Sequence, residues 1–126
     1  MSFDWADYLT LAEALERDPA TPGPEEAAQR AAISRAYYAV FCRARNFARD
    51  REGLILTGEA QDHGLVVAHF RSSTDKTRRK IASDLGRLRT NRNKADYDDV
   101  LAGRQRSLAQ LSVTTARTLL TALASL

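Results

Sequence analysis

The chain has 126 residues, of which 44% are hydrophobic and 28% charged, and its formal net charge is +3. This size and balance are typical of one globular domain and exclude wholesale disorder, so we expect a single domain over residues 1–126. No run of eighteen apolar residues occurs, and the first residues lack the charged-then-apolar layout of a signal peptide. We therefore expect a cytoplasmic protein without a membrane partner.

The spacing of apolar residues predicts five helices, with almost no alternation of the kind that marks a β-strand. The first helix has Ser2 or Asp4 as a cap, and Pro24 favours the start of the second. Breaks rich in proline, glycine, serine and aspartate separate the helices near residues 19–24, 53–58, 72–74 and 98–103. The predicted helices cover about residues 4–17, 25–50, 60–71, 74–97 and 104–126.

The second predicted helix has a core stripe and an opposite polar face. Its apolar residues fall within about a third of the helix circumference: Ile33, Tyr37, Val40, Phe41, Ala44, Phe47 and Ala48. The opposite face carries Arg35, Tyr38, Cys42 and Arg49. Arg35 offers a planar fork of donors and Tyr38 a hydroxyl, which suit phosphate oxygens, and a plain surface face is the alternative.

Cys42 is the only cysteine, so an internal disulfide is excluded. Its place in a helical pattern favours a buried thiol over a reactive or ligating one. With one cysteine and two histidines, we expect no metal site and no cofactor. The usual motifs for phosphate-binding loops, dinucleotide binding and nucleophilic serine or cysteine are not found in the sequence.

The third predicted helix carries both histidines. His69 lies beside Phe70 in a mainly apolar segment, and a core or boundary position is its simplest interpretation. His63 lies between Asp62 and Gly64 near the start of the helix. It serves there either as a structural hydrogen-bonding group, which we favour, or as a general acid or base at the edge of a pocket.

The fourth predicted helix is rich in basic residues. From Lys76 to Lys94 it carries eight arginine and lysine side chains and only one aspartate. A stripe of this density attracts polyanions through phosphate contacts and counterion release. A solvated helix face explains the same pattern equally well, so the stripe alone does not decide between the two.

A charged pair interrupts the apolar stripe of the fourth helix. Ile81, Leu85 and Leu88 form this stripe, and one and two turns later the same side carries Arg92 and Asp96. Because a buried charge needs a partner, we expect these two to pair with each other. Asn93 and Tyr97 flank them, and together the four would suit a phosphate or a base. A structural ion pair is the alternative.

The fifth predicted helix completes the bundle. Its expected buried side consists of Leu108, Leu111, Thr115, Leu119, Ala122 and Leu126. Short connections favour antiparallel neighbours, so the predicted fold is all-α, an antiparallel up-and-down bundle of four to five helices. We expect the second and fourth helices, the longest, to lie side by side at its centre.

Two segments resemble the HEPN superfamily. Residues 34–41, Ser-Arg-Ala-Tyr-Tyr-Ala-Val-Phe, are similar to the family's Ser-Arg-x-Tyr-Tyr-Ala-x-Phe stretch on its central helix. Residues 92–97, Arg-Asn-Lys-Ala-Asp-Tyr, resemble the Arg-x-x-Ala-Asp-Tyr ending of small bacterial and archaeal members. His63-Gly64, followed by Phe70, resembles the family's shorter link between the two, so the resemblance covers about residues 27–97.

The resemblance implies a helical bundle that commonly forms homodimers and often pairs with a minimal nucleotidyltransferase in toxin–antitoxin systems. Active members of the family are metal-independent ribonucleases that use an arginine followed four to six residues later by a histidine. Arg92 matches the arginine and Asn93 the polar residue beside it, but no histidine follows Arg92. Tyr97 stands where this histidine would fall, and a phenol with a pKa near 10 is a poor base at neutral pH. For cleavage, Tyr97 or His63 would have to take the role of the missing histidine.

These observations define the candidate residues and three hypotheses. The candidate catalytic residues are Arg92, Asp96 and Tyr97. The candidate RNA- or nucleotide-binding residues are Arg35, Tyr38, His63, Arg92 and Asn93. The first hypothesis is an RNA- or nucleotide-binding module without strong catalysis, the second a metal-independent ribonuclease toxin, and the third a non-catalytic subunit that binds another protein.

Overall fold

The computed structural model describes residues 2–17 and 25–126, and all of the regular structure in these ranges is helical. The five helices begin and end within about three residues of the predicted bounds. The predicted break at residues 19–24 lies outside the described residues. The helices are α1 (Asp7–Arg17), α2 (Glu25–Glu52), α3 (Asp62–Arg71), α4 (Lys76–Tyr97) and α5 (Gln105–Ala124).

Aspartate side chains cap the starts of two helices, as expected for residues that accept hydrogen bonds from free backbone N–H groups. Asp4 accepts from the N–H of Ala6 at 3.0 Å, just before α1. Asp75 accepts from the N–H of Arg78 at 2.9 Å and caps α4. The predicted cap at Asp4 is therefore confirmed.

Contacts between helix ends fix the directions of the helices. Arg30, near the start of α2, donates to the carbonyl oxygens of Ala95 at 2.9 Å and Asp98 at 2.6 Å, at the end of α4. At the other end of the pair, Arg78 of α4 donates to Glu52 of α2. The helices α2 and α4 are therefore antiparallel neighbours, as predicted.

The helix α2 is the centre of the bundle, because it contacts each of the other four helices. Its most extensive partner is α5, which runs in the same direction, since Arg106 near the start of α5 pairs with Glu25 at the start of α2. The core stripe predicted for α2 is buried, with Phe47 only partly so. Within the described residues, no helix is long and apolar enough to span a membrane.

The predicted buried side of α5 is wrong at Leu111, which is 56% exposed. The face that packs inward is turned by about one residue and carries small side chains. Small residues let α5 approach the alanine-rich α2 closely, whereas the larger leucines of the predicted stripe would hold the two helices apart. The buried residues of α5 are Ala109, Ser112, Val113, Ala116, Leu119 and Leu123.

Candidate functional site

The last turns of α4 place a buried guanidinium against the middle of α2. Arg92 is only 8% exposed. Its guanidinium carbon lies 5.4 Å from the ring centroids of both Tyr37 and Tyr38. These distances are within the range of cation–π contacts, which become stronger when the cation is removed from water.

Asp96, the carboxylate predicted to pair with Arg92, lies near it but does not form a close ion pair. The distance from Arg92 Nη1 to Asp96 Oδ2 is 3.5 Å, and the Asp96 side chain is 30% exposed. The hydroxyl of Ser34 also donates to Asp96 Oδ2 at 3.5 Å. A charge-assisted hydrogen bond between such groups is normally 2.7–2.9 Å, so this pair is loose.

A second arginine, Arg89, faces the same space from one turn earlier on α4. The Nε atoms of Arg89 and Arg92 are both buried, and neither has a hydrogen-bond partner among the described residues. Buried polar groups in folded proteins are normally satisfied, so two orphaned guanidinium donors side by side require an explanation. We call Arg89, Arg92 and Asp96, with Tyr37 and His63 of the neighbouring elements, the arginine cluster.

The imidazole of His63 joins this cluster through Tyr37. The hydroxyl of Tyr37 is hydrogen-bonded to Nδ1 of His63, and the imidazole stacks on Phe41 with ring centroids 4.1 Å apart. Burial, together with the charges of Arg89 and Arg92, lowers the pKa of His63 to about 4. The imidazole is therefore neutral at pH 7.

The hydrogen bond couples the tautomer of His63 to the orientation of the Tyr37 hydroxyl. Burial raises the pKa of Tyr37 above its ordinary value, so its hydroxyl stays protonated. Nδ1 of His63 is the one hydrogen-bond partner of this hydroxyl within the described residues. If Tyr37 donates to Nδ1, the neutral imidazole carries its proton on Nε2, which makes Nε2 a donor.

Asp62 holds the segment that presents His63. Its carboxylate accepts from the N–H and the hydroxyl of Thr57 at 2.8 and 2.7 Å, and from the N–H of Gly58 at 2.8 Å. These bonds, the N–H of Thr57 first, lower the pKa of Asp62. Gly58 has a φ of +81°, which a residue with a side chain adopts only with strain. The loop and the start of α3 are thus tied together next to α2.

An aromatic cleft of about 820 Å³ adjoins the cluster, between the segment before α1, α2 and the loop that precedes α3. Tyr38 belongs to both regions, because Arg92 and Arg35 lie 5.4 and 5.5 Å from its ring centroid. Arg35 also lies 5.0 Å from the ring of Tyr8. The aromatic residues that line this cleft are Trp5, Tyr8, Tyr38, Phe41 and His63.

The aromatic cleft carries guanidinium groups without ion pairs, beside the carboxylates of Glu59 and Asp62. Arg35 and Arg45 line it, and neither forms an ion pair with a carboxylate in the part of the chain that the structure describes. Asp62 also lines it, but its oxygens are occupied by Thr57 and Gly58. Stacking surfaces and free guanidinium groups together suit a base and its phosphate.

The structure brings together some of the residues singled out in the sequence and separates others. Arg92, Asp96, Tyr38, Arg35 and His63 lie in the arginine cluster or the adjoining cleft. Tyr97 is 76% exposed and Asn93 is exposed, so neither faces the cluster. Since Tyr97 points to solvent, the flanking patch expected from Asn93 and Tyr97 is not part of this pocket.

Cys42 and His69 occupy the positions that the sequence predicted. The thiol of Cys42 is buried at the floor of the aromatic cleft, and burial raises its pKa, so it has no thiolate character. His69 lies at the boundary of the core, with Nε2 at 2.8 Å from Glu52. Within residues 2–17 and 25–126, no group of three or more metal-ligating side chains is placed to share an ion.

Two members of the cluster were not found from the sequence. Tyr37 was assigned to the core stripe, which is correct for its ring but overlooks its hydroxyl. Arg89 was assigned to the basic stripe. Its spacing of three residues from Arg92 places both on one side of the helix, and this was the available signal.

Comparison of the chain with protein-family models, with curated proteins and with solved structures finds no match.

Proposed function

We propose that this chain is an RNA- or nucleotide-binding module of the HEPN type, with the arginine cluster as its phosphate site. The observation that carries the proposal is the pair of buried, unpartnered Nε donors of Arg89 and Arg92. Burying the guanidinium of Arg92 and the Nε of Arg89 beside one loose carboxylate costs free energy that an anionic ligand would recover.

The chemistry of the site favours a phosphate over other anions. A guanidinium offers a planar fork of donors that matches two phosphate oxygens, and Arg89 and Arg92 offer two such forks. When Tyr37 donates to Nδ1, Nε2 of His63 adds a third donor without adding charge. Beside these groups, the aromatic cleft offers Trp5 and Tyr8 as stacking surfaces for bases, and Arg35 as a further cation.

Binding without cleavage is supported by the state of the only histidine near these arginines. A general base in RNA cleavage must accept a proton from the 2′-hydroxyl, whereas Nε2 of His63 already carries one when Tyr37 donates to Nδ1. Tyr97, the other candidate base, is exposed to solvent. The carboxylate of the cluster, Asp96, is engaged with Arg92 and Ser34. With His63 in that tautomer, the cluster has more donors for a phosphate than acceptors for a proton.

Fluorescence anisotropy with a short, labelled single-stranded RNA tests this proposal. Arg89→Ala and Arg92→Lys should each weaken binding by about tenfold or more, because a charge-assisted hydrogen bond contributes roughly 1.5–3 kcal/mol. Arg79→Ala is the matched control, since Arg79 is an exposed arginine on the same helix. Equal losses in all three variants would indicate non-specific attraction to a basic helix and would contradict the proposal.

The titration of His63 provides an independent measurement on the same site. Burial lowers the pKa of His63 to about 4, and the charges of Arg89 and Arg92, which add to this effect, would be offset by a phosphate between them. NMR titration should therefore show this pKa rising when a nucleoside monophosphate is added. An unchanged value at saturating nucleotide would place the ligand elsewhere.

A metal-independent ribonuclease is the second candidate function, favoured by the proximity of His63 to Arg89 and Arg92. An RNA cleavage assay in the presence of chelator, with His63→Ala and Tyr97→Phe, separates the two. We expect no cleavage by the parent protein. Cleavage that is lost in His63→Ala would establish the nuclease instead.

The cellular setting of the module is carried by the resemblance alone. We propose a cytoplasmic homodimer that pairs with a nucleotidyltransferase-type protein in a toxin–antitoxin system. Sedimentation of the isolated chain tests the dimer, and co-expression with the product of the neighbouring gene tests the pairing. A monomeric chain that forms no such complex would contradict both the homodimer and the pairing, and only the proposed binding site would remain.

A further inference from the structure

A second concave surface crosses the outer side of α4, bounded by α5 on one side and by Arg71 at the end of α3 on the other. This groove has a volume of about 630 Å³. None of its lining residues belongs to the arginine cluster or to the aromatic cleft. It is therefore independent of the proposed function.

The floor of the groove holds three leucines, and the polar side chains of Ser83, Thr90, Asn91 and Thr115 also line the groove. Leu88 is buried beneath it, Leu108 is half-buried and Leu111 is 56% exposed. Leu108, Leu111 and Thr115 follow one another at three- and four-residue steps along α5. This is the spacing of a helix face that packs on something, yet it lies beside the core face and no part of the described chain covers it.

Gly86 forms a notch in the α4 wall of the same groove. A side chain added at Gly86 would meet nothing within 4 Å, so no packing inside the bundle requires glycine there. Glycine in a helix interior lowers helix stability relative to alanine. What the glycine leaves free is space on the outer surface, where another backbone can approach closely.

The rim of the groove is positively charged. Arg71, Arg87 and Arg104 line it, and none of the three takes part in an ion pair within residues 2–17 and 25–126. The lining carboxylate, Asp84, is already paired with Lys80 at 2.7 Å. An occupant must therefore bring apolar groups for the floor and negative charges for the rim.

We propose that this groove binds an acidic amphipathic helix of a partner protein. Such a helix would place apolar side chains at i, i+3 or i+4, and i+7 on Leu88, Leu108 and Leu111, and carboxylates on the rim arginines. The notch at Gly86 would receive the bulkiest anchor. The match of charge between an acidic helix and the three free guanidinium groups decides the occupant.

Charge and chemistry argue against the other occupants. A symmetric contact with a second copy of this chain would bring the same arginines face to face, and like charges repel. A single RNA strand finds no aromatic side chain in this groove on which to stack a base.

The test is a titration of the isotope-labelled full chain with a synthetic peptide, followed by NMR. The peptide spans about four helical turns, with leucines at three- and four-residue steps and glutamates beside them. The control peptide replaces each glutamate with lysine and keeps the leucines. We expect saturable shifts at Gly86, Leu108 and Leu111 with the acidic peptide, and binding at least about tenfold weaker with the lysine peptide.

Variants of the groove locate the binding on this surface. Gly86→Leu fills the notch, and Arg87→Glu reverses one rim charge. Each should weaken the binding of the acidic peptide by about tenfold or more. Arg51→Glu, an exposed site on α2, is the control and should leave the affinity unchanged. Circular dichroism of each variant confirms that the helices are retained.

Several outcomes would overturn the proposal. One is equal binding of the acidic and the lysine peptide, and another is an unchanged affinity of Gly86→Leu for the acidic peptide. A third is the appearance of NMR shifts at the groove residues without the acidic peptide, either when the protein concentration is raised or when single-stranded RNA is added. Concentration-dependent shifts would assign the groove to a second copy of the chain, and RNA-dependent shifts would assign it to nucleic acid.

Discussion

The two ends of α4 each combine arginine, histidine and a carboxylate, but they satisfy these groups to very different degrees. At the start of α4, Arg78 donates to both oxygens of Glu52, at 2.8 and 2.6 Å, and His69 contacts the same carboxylate at 2.8 Å. We call these three residues the Glu52 cluster. At the end of α4, the nearest carboxylate oxygen lies 3.5 Å from Arg92.

This difference separates a structural cluster from the proposed binding site. In the Glu52 cluster the donors converge on one acceptor, and the hydrogen bond from Arg78 lowers the pKa of Glu52 to about 2. In the arginine cluster, burial and two nearby cations lower the pKa of His63, whose ring is hydrogen-bonded to Tyr37 and not to a carboxylate. The first arrangement is complete without a ligand, whereas the second leaves guanidinium donors open to an added anion.

The largest effect that separates the two clusters should be on the pH dependence of stability. The pKa of His63 is about 4 in the folded chain and 6.5 when unperturbed, so between these values the unfolded state binds more protons. Stability should therefore rise with pH from about 4 to 6.5, by on the order of 2 kcal/mol. Urea unfolding at several pH values measures it.

The control for this prediction is His63→Gln, which should flatten the profile in that window. The Glu52 cluster behaves differently, because a pKa lowered from 4.5 to about 2 contributes stability that is present above pH 4.5 and is lost as the pH falls toward 2. A profile that is flat between pH 4 and 6.5 in the parent would contradict the environment assigned to His63.

The next effect should come from breaking the complete cluster. Arg78→Ala removes two short hydrogen bonds to Glu52 at side chains that are only 23% and 26% exposed. We expect a loss of roughly 1 to 2 kcal/mol in the free energy of unfolding, with RNA binding unchanged. Chemical denaturation and anisotropy on the same variant check both parts, and lost RNA affinity in a folded variant would remove the distinction between the clusters.

A smaller effect should follow Tyr37→Phe, which keeps the aromatic ring against Arg92 and removes the hydrogen bond to His63. The expected cost is about 1 kcal/mol, the usual contribution of one hydrogen bond. Without the hydroxyl, Nδ1 of His63 is free, and NMR of the imidazole nitrogens should show the proton redistributed between Nδ1 and Nε2. An unchanged tautomer would mean that Tyr37 does not set it.

The smallest effect should come from Arg89→Met. An apolar side chain of similar length removes a buried and unpartnered donor, so stability should change by less than about 0.5 kcal/mol or increase slightly. The same change should still weaken RNA binding. Thermal unfolding measures the first part, and a clear loss of stability would show that Arg89 has a structural partner after all.

The extent to which the site could be predicted depended on the residue. Arg92 and Asp96 were found because they interrupt an apolar stripe, which is a signal along a single helix. Arg89 and the hydroxyl of Tyr37 were not, because their roles arise only where α4, α2 and the loop before α3 meet. Leu111 was assigned to the core because its spacing is helical and apolar, yet it forms the open groove.

The sequence defines the five helices and their order through local patterns, because the period of its apolar residues and its capping aspartates act over a few residues at a time. It also places a charged pair at the end of α4. The packing of the helices against one another sets which face of α5 lies inward and which side chains share a pocket. Those outcomes depend on how closely alanine-rich helices approach and on which donors find an acceptor, and both are properties of contacts between segments distant in the chain.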